Sequence, residues 1–306
     1  MIKTIIVLIT ILSAPLFIGI INKTKAIWAG RQGASVFQPY FDLIKLLRKG
    51  ETVSPTTSFV SEIAPSINVA AMIFALLFIP FPFVGSVLKF SGDFVLFAYS
   101  LGLAKFFLVI AALDTGSSFE GMGANREVTF STIVETAFFI LLGTLAFITN
   151  RTSFESMFAM LNYSSFYTLL IKLLFVVSLF IMLLSEGSRL PVDDPNTHLE
   201  LTMIHEVMIL DYSGINLAFM VFASNIKMLL ISILIANFLV PLNLGIAVGI
   251  ALCVLTLILI YLSVGLIESL IARSRMSHIP QFLFLMTALS LTSFAIVAFF
   301  IHGVIK

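Results

Sequence analysis

Cysteine is almost absent from this chain. Its 306 residues hold one, Cys253, inside a hydrophobic run. A single thiol can neither hold an iron–sulfur cluster nor close an internal disulfide. If the protein serves a redox system, the electrons travel elsewhere. Charge is scarce as well. Asp, Glu, Lys and Arg make up 11% of the residues and nearly cancel, at +1 net, which argues against nucleic acid as a partner. The sequence also lacks a phosphate-binding glycine loop, a nucleophile elbow, internal repeats, low-complexity tracts and a linker to a second soluble domain. What fills it is apolar: 59% hydrophobic residues, among them 31 phenylalanines, and a mean hydropathy of +1.12. This composition marks an all-α, polytopic integral membrane protein in a single domain.

Eight apolar runs are long enough to span a bilayer, at about 4–21, 67–88, 94–113, 130–149, 168–185, 216–240, 244–267 and 281–302. The first is long and has no small-residue cleavage site followed by polar sequence, so it reads as a retained helix rather than a signal peptide. Pro241-Leu242-Asn243 supplies the turn between the sixth and seventh. Lys and Arg decide the orientation. The loops at 22–66, 114–129, 186–215 and 268–280 carry Lys23, Lys25, Arg31, Lys45, Arg48, Lys49, Arg126, Arg189, Arg273 and Arg275, whereas the other side holds Lys3, Lys89, Arg151 and Lys306. This bias predicts a chain in the cytoplasmic membrane with both termini outside and the long loops in the cytoplasm. Within the first loop, Gln38–Leu47 has the pattern of an amphipathic helix lying along the membrane surface.

The few charges are concentrated. Glu186–Gly214 holds Glu186, Asp193, Asp194, Glu200, Glu206 and Asp211, with His198 and His205 and one arginine, Arg189. Ionisable groups gathered in a membrane protein usually mark its working site. Asp194-Pro195 reads as an N-cap with proline at the first helical position, predicting a helix from Pro195 to about Leu210 that puts Glu200 and Asp211 on one face. The third loop adds Glu120, Arg126 and Glu127 among three glycines, and Glu135 falls several residues into the fourth span. A carboxylate there must face protein, water or a cation. Lys105, Lys172 and Lys227, all within spans, are the available partners. His205-Glu206 resembles the start of a helical zinc motif, but Ile209 stands where the second histidine belongs. His198 and His205 lie about 10 Å apart along a helix, too far to share a metal. Asp193-Asp194-Pro195 lacks the alternation of a calcium loop. No catalytic, cofactor-binding or metal site is therefore expected in this chain. A relay of coupled carboxylates is one reading of what remains, and an ion-paired surface supporting cytoplasmic partners is the other.

Several segments match a known family by motif. They are GRQG at Gly30–Gly33, QPYFDLIKLLRKGE at Gln38–Glu51, LDTGS at Leu113–Ser117, GANRE at Gly123–Glu127, Glu186-x-x-Arg189-x-Pro191-x-Asp193 and Asp211-Tyr212-Ser213-Gly214. Arg126 and Glu135 are nine apart, like the arginine and intramembrane glutamate of that family. Together they resemble subunit 1 of respiratory complex I and its relatives in the group 4 membrane-bound nickel–iron hydrogenases. LDTGS and PVDDPNTHLELTMIHEVMILDYSG look like the hydrogenase branch, as in hydrogenase-4 and formate hydrogenlyase subunit 4. The quinone-reducing branch differs at the positions of Asp194, Asn196 and His198.

The resemblance implies a non-redox subunit that docks a cytoplasmic electron-transfer and nickel–iron arm and couples it to proton or sodium movement. Charge placement and the resemblance together put the ion path at Glu120, Glu127, Glu135, Glu186, Asp193, Glu200, Glu206 and Asp211, with Lys105. They place the interface with the arm at Arg31, Arg126, Arg189, Asp194, His198 and His205. The implied partners are hydrogenase large and small subunit-like proteins, iron–sulfur subunits and antiporter-like membrane subunits. The nickel–iron centre and iron–sulfur clusters belong to those partners. A quinone-site subunit of complex I is the alternative, and a stand-alone transporter lacks the internal repeats such proteins often show.

Overall fold

A computed structural model describes residues 2–82, 84–161, 166–194, 203–241 and 245–304. Ten α-helices are found among them: α1 (Ile2–Trp28), α2 (Gln38–Leu47), α3 (Phe59–Leu76), α4 (Asp93–Asp114), α5 (Ser118–Thr149), α6 (Phe154–Met160), α7 (Phe166–Glu186), α8 (Gly214–Leu239), α9 (Ile246–Leu270) and α10 (Ile279–Val304). Eight of the ten, all but α2 and α6, are long and apolar enough to cross a membrane. The centre of the bundle is α8. Its most apolar window is 78% buried, against 28–44% in the other spans. Around it, α3 packs on α4 and α8, α10 on α5 and α7, and α1 on α9. The outer helices leave leucines and phenylalanines exposed along their length, as lipid-facing surfaces do.

Two spans depart from the sequence expectation. The second, expected at 67–88, is a helix at Phe59–Leu76. Ser58 caps it by accepting the Val60 N–H at 3.2 Å, and Asp114 takes the Ser58 N–H at 2.8 Å and the Ser61 hydroxyl at 2.6 Å. These bonds satisfy donors at the helix start and let polar residues begin it. The apolar residues after Leu76 do not continue it. Pro80 and Pro82 follow, and Phe81 and Gly85 close a tight turn. The fourth span begins at Ser118, not 130, so most of the expected third loop is helical. Glu120, Arg126 and Glu127 therefore ride on the same helix as Glu135, which sits well inside it.

The helix expected from Pro195 to Leu210 is not continuous. Its first part, with Glu200, His198 and the proposed cap partner Pro195, lies outside the described residues. Met203, Ile204 and His205 are irregular, and Glu206–Ile209 form one 3-10 turn. The surface helix α2 has the bounds expected of it.

Candidate functional site

Lys105, mid-way along α4, is the hub of the site. Its Nζ lies 2.6 Å from Glu186 Oε1 at the end of α7, 3.2 Å from Glu135 Oε1 and 3.8 Å from Glu127 Oε1, both on α5. Lys227 of α8 approaches the other side of Glu186, 3.3 Å from Oε2. Glu127 and Glu135 are eight apart on α5, slightly over two turns, which turns both toward α4. Glu127, Glu186 and Lys227 are buried. Glu135 is not: 42% of its side chain is open at the outer surface of α5. His205 Nδ1 stands 3.7 Å from Glu127 Oε2 and joins the long-loop segment to the cluster. The cluster thus holds two lysines against three glutamates. Lys172 forms no ion pair among the described residues.

Asp193 builds the loop that holds His205. It is buried, and its Oδ2 accepts the N–H groups of Ile204 (3.1 Å) and His205 (3.0 Å). Its Oδ1 accepts the Asp194 N–H and Arg273 Nη2, each at 2.9 Å. A carboxylate meeting four donors in this way acts as a fixed strut. Arg126 Nη1 donates to the Met203 carbonyl at 2.8 Å and ties the same loop to α5. Gly123 makes the approach possible. A Cβ there would lie 2.3 Å from Val207 Cγ1 and 3.0 Å from the Ile204 carbonyl oxygen. The GANRE motif thus begins with a contact surface for the 203–208 loop.

A second group lies toward the loop side. Glu120 is buried, and its Oε1 accepts the Asp211 N–H at 3.0 Å. The Tyr212 hydroxyl donates to the Ser61 carbonyl at 2.9 Å. Burial, with the Glu120 and Asp114 carboxylates nearby, pushes the Tyr212 phenol well above its ordinary pKa, so it stays a proton donor. Asp211 is exposed, whereas Glu206 and Asp194 are half-buried.

Arg189 turns inward, with Nη1 3.4 Å from Glu268 Oε1, and Lys25 holds Glu268 Oε2 at 2.8 Å. Glu268 is a buried carboxylate that the sequence reading missed. Its only sequence signal was a lone acid at the junction of an apolar run and the basic 273–275 segment. The role of Arg273 as partner of Asp193 was missed too, because the residue was read only as a topology charge. Arg31 is exposed, away from the Lys105 cluster.

A cavity of about 260 Å³ opens beside the cluster, lined by Lys105, Lys227, Arg189, His205, Glu206, Asn68 and Asn225 together with apolar side chains. It has room for several waters, and its polar groups can hold them. A gap of about 10 Å³ lies on the other side, against Glu127, Glu186, Asp193 and His205. His205 borders both. Among the described residues no group of three or more His, Cys, Asp or Glu is arranged to hold a metal ion.

The NADH dehydrogenase family model matches residues 2–298. The chain belongs to the NADH dehydrogenase family. Two proteins of similar length resemble it over most of both chains. It is 28% identical over 278 residues to hydrogenase-4 component C of Escherichia coli (strain K12), covering 87% of this chain and 86% of that protein. It is 26% identical over 275 residues to formate hydrogenlyase subunit 4 of the same strain, covering 88% and 89%. The fold is also that of a chain in the membrane-bound sulfane sulfur reductase, an archaeal respiratory membrane complex, with a TM-score of 0.81 at 19% identity over 96% of this chain and 98% of that one. This NADH dehydrogenase family member is a multi-pass membrane protein similar to these hydrogenase-4 and formate hydrogenlyase subunits.

Proposed function

We propose that this chain is the non-redox membrane subunit of a hydrogenase-like complex, coupling a cytoplasmic redox arm to proton or sodium translocation. The observation that carries the reading is the Lys105 cluster. One ammonium mid-way along a membrane-spanning helix holds three carboxylates, and one of these, Glu127, touches a histidine of the long-loop segment. Charges at such depth are costly and are retained where they do work. The three carboxylates share Lys105, so a movement of the loop at His205 that shifts Glu127 is passed through Lys105 to Glu135. The arm docks on the long-loop side, which is cytoplasmic by the distribution of Lys and Arg. Asp193 and Arg126 hold Met203, Ile204 and His205 beneath it, so that a shift of the arm moves His205. Glu200 and His198 are assigned to this path and interface by charge placement in the sequence together with family resemblance, as are Glu120, Glu206, Asp194 and Asp211.

The open side of Glu135 supports a partner within the membrane. A carboxylate left facing lipid at this depth would cost several kcal/mol. An antiporter-like subunit packed on α5 covers it and receives the charge displacement. Hydrogenase large and small subunit-like proteins and iron–sulfur subunits supply the nickel–iron centre and clusters. The test is gentle purification of a tagged chain from native membranes, followed by mass spectrometry and metal analysis. Co-purifying soluble subunits that carry nickel and iron are expected. Partners with flavin and iron but no nickel would replace this reading with a quinone-reducing one, and a chain recovered alone and intact would overturn both.

A further inference from the structure

The GRQG turn takes no part in the Lys105 cluster, yet it is built with care. Gly30 and Gly33 have φ of +68° and +62°. A Cβ on Gly33 would lie 2.2 Å from that of Ala26. The Arg31 N–H bonds the Ala26 carbonyl at 2.8 Å, and Lys23 Nζ bonds the Gln32 carbonyl. The turn is therefore folded back against the end of α1. Between it and the end of α9 lies an open cavity of about 630 Å³, lined by Lys25, Trp28, Arg31, Glu268, Ser269 and Leu270 among others.

Charge, height and shape define what fits there. Lys25 and Arg31 line the cavity with one acid, Glu268, which is paired from behind by Arg189, so the cavity end has excess positive charge. Lys3 bonds the Ser86 carbonyl at the opposite end of α1. Lys25 is 22 residues further on, about 33 Å along the axis. A hydrocarbon core is about 30 Å thick, so Lys25 and Trp28 stand in the headgroup layer on the long-loop side. Trp28 is 57% exposed and Leu270 65%. Below Leu270, Leu255, Leu259 and Leu262 are exposed at spacings of four and three residues, one stripe on α9 that leads up to the cavity lip.

We propose that this cavity binds an anionic glycerophospholipid of the long-loop leaflet. Its phosphate lies between Arg31 and Lys25, its glycerol backbone lies beside Trp28, and an acyl chain runs down the α9 leucine stripe. Arg31 then serves the bilayer rather than the redox arm. Clusters of basic residues at this level attract anionic headgroups, and a guanidinium pairs a phosphate in two-point geometry.

The test uses the intact complex, delipidated in detergent. Thermal stability is followed while short-chain phosphatidylglycerol, short-chain phosphatidylcholine or inorganic phosphate is added, and native mass spectrometry counts retained lipid. Phosphatidylglycerol should stabilise the complex, and the other two should not at the same concentration. Arg31→Gln should weaken the phosphatidylglycerol effect roughly tenfold, the loss of one charge-assisted contact. Arg48→Gln, which removes an exposed charge just beyond α2, should leave it unchanged. Equal response to phosphatidylcholine, an unaltered response in Arg31→Gln, or equal loss in both variants would overturn the proposal. A response to inorganic phosphate matching that to phosphatidylglycerol would overturn its assignment to a lipid.

Discussion

Replacing Lys105 by methionine removes the one cation that three carboxylates share, and its cost can be bounded from the geometry. The contacts at 2.6 Å to Glu186 and 3.2 Å to Glu135 are lost, with the longer one to Glu127 at 3.8 Å. Glu186 keeps only Lys227, at 3.3 Å. Breaking a buried ion pair by removing one partner typically costs about 3–5 kcal/mol, because the remaining charge stays buried without compensation. Glu135 is partly open and is discounted, since exposed pairs are worth about 1 kcal/mol or less. The dominant loss is that of Glu186. Lys105→Met should therefore destabilise the subunit by about 3–5 kcal/mol, and adding Glu186→Gln should recover a large part of it. The assay is a double-mutant cycle on Lys105 and Glu186, read from detergent-induced unfolding of the reconstituted protein. A coupling of about 2 kcal/mol or more is expected. A value below about 0.5 kcal/mol would refute the cluster as the hub of the site, because residues in direct contact couple by about 0.5–3 kcal/mol.

Two further perturbations probe the loop that carries His205. Asp193→Asn keeps the shape but gives up the charge that holds Arg273 and strengthens the two N–H contacts to Ile204 and His205. A loss of about 1–3 kcal/mol is expected, visible as faster proteolysis in the 186–215 segment, and unchanged cleavage would contradict its role as strut. Gly123→Ala forces a methyl against Val207 and should reduce assembly of the subunit, with partial rescue by Val207→Ala. Rescue measured as recovered complex on native gels checks that the fault is this contact.

Much of the fold can be read from the sequence because lipid imposes long apolar runs: five of the eight runs lie within three residues of a long helix, and α1 starts as expected but continues seven residues past its run. In both that moved, polar segments at the helix start are held by residues distant in the chain. Asp114 bonds Ser58 and Ser61 at the start of α3 from fifty-odd residues away, and Glu120 and Arg126 in the first turns of α5 bond the Asp211 N–H and the Met203 carbonyl of a loop some eighty to ninety residues later. Neither partner is visible to a periodicity argument. Family resemblance and charge placement singled out Glu127, Glu135, Glu186 and Lys105 as site residues, but not their convergence. That follows from helix register and from the packing of α4 between α3 and α5. Glu268 stayed hidden because a lone acid at a helix end reads as a solvated charge until Lys25 and Arg189 are seen around it.

The most direct test of coupling is Glu135→Gln in the assembled complex, with hydrogen evolution and ion-gradient formation measured on the same membranes. The substitution keeps size and hydrogen-bonding capacity while removing the charge at the open end of the cluster. Assembly should hold, the ion gradient should fall to background, and hydrogen evolution should slow or run uncoupled. Hydrogen evolution and a gradient both equal to those of the unaltered protein would contradict a carboxylate path through this chain.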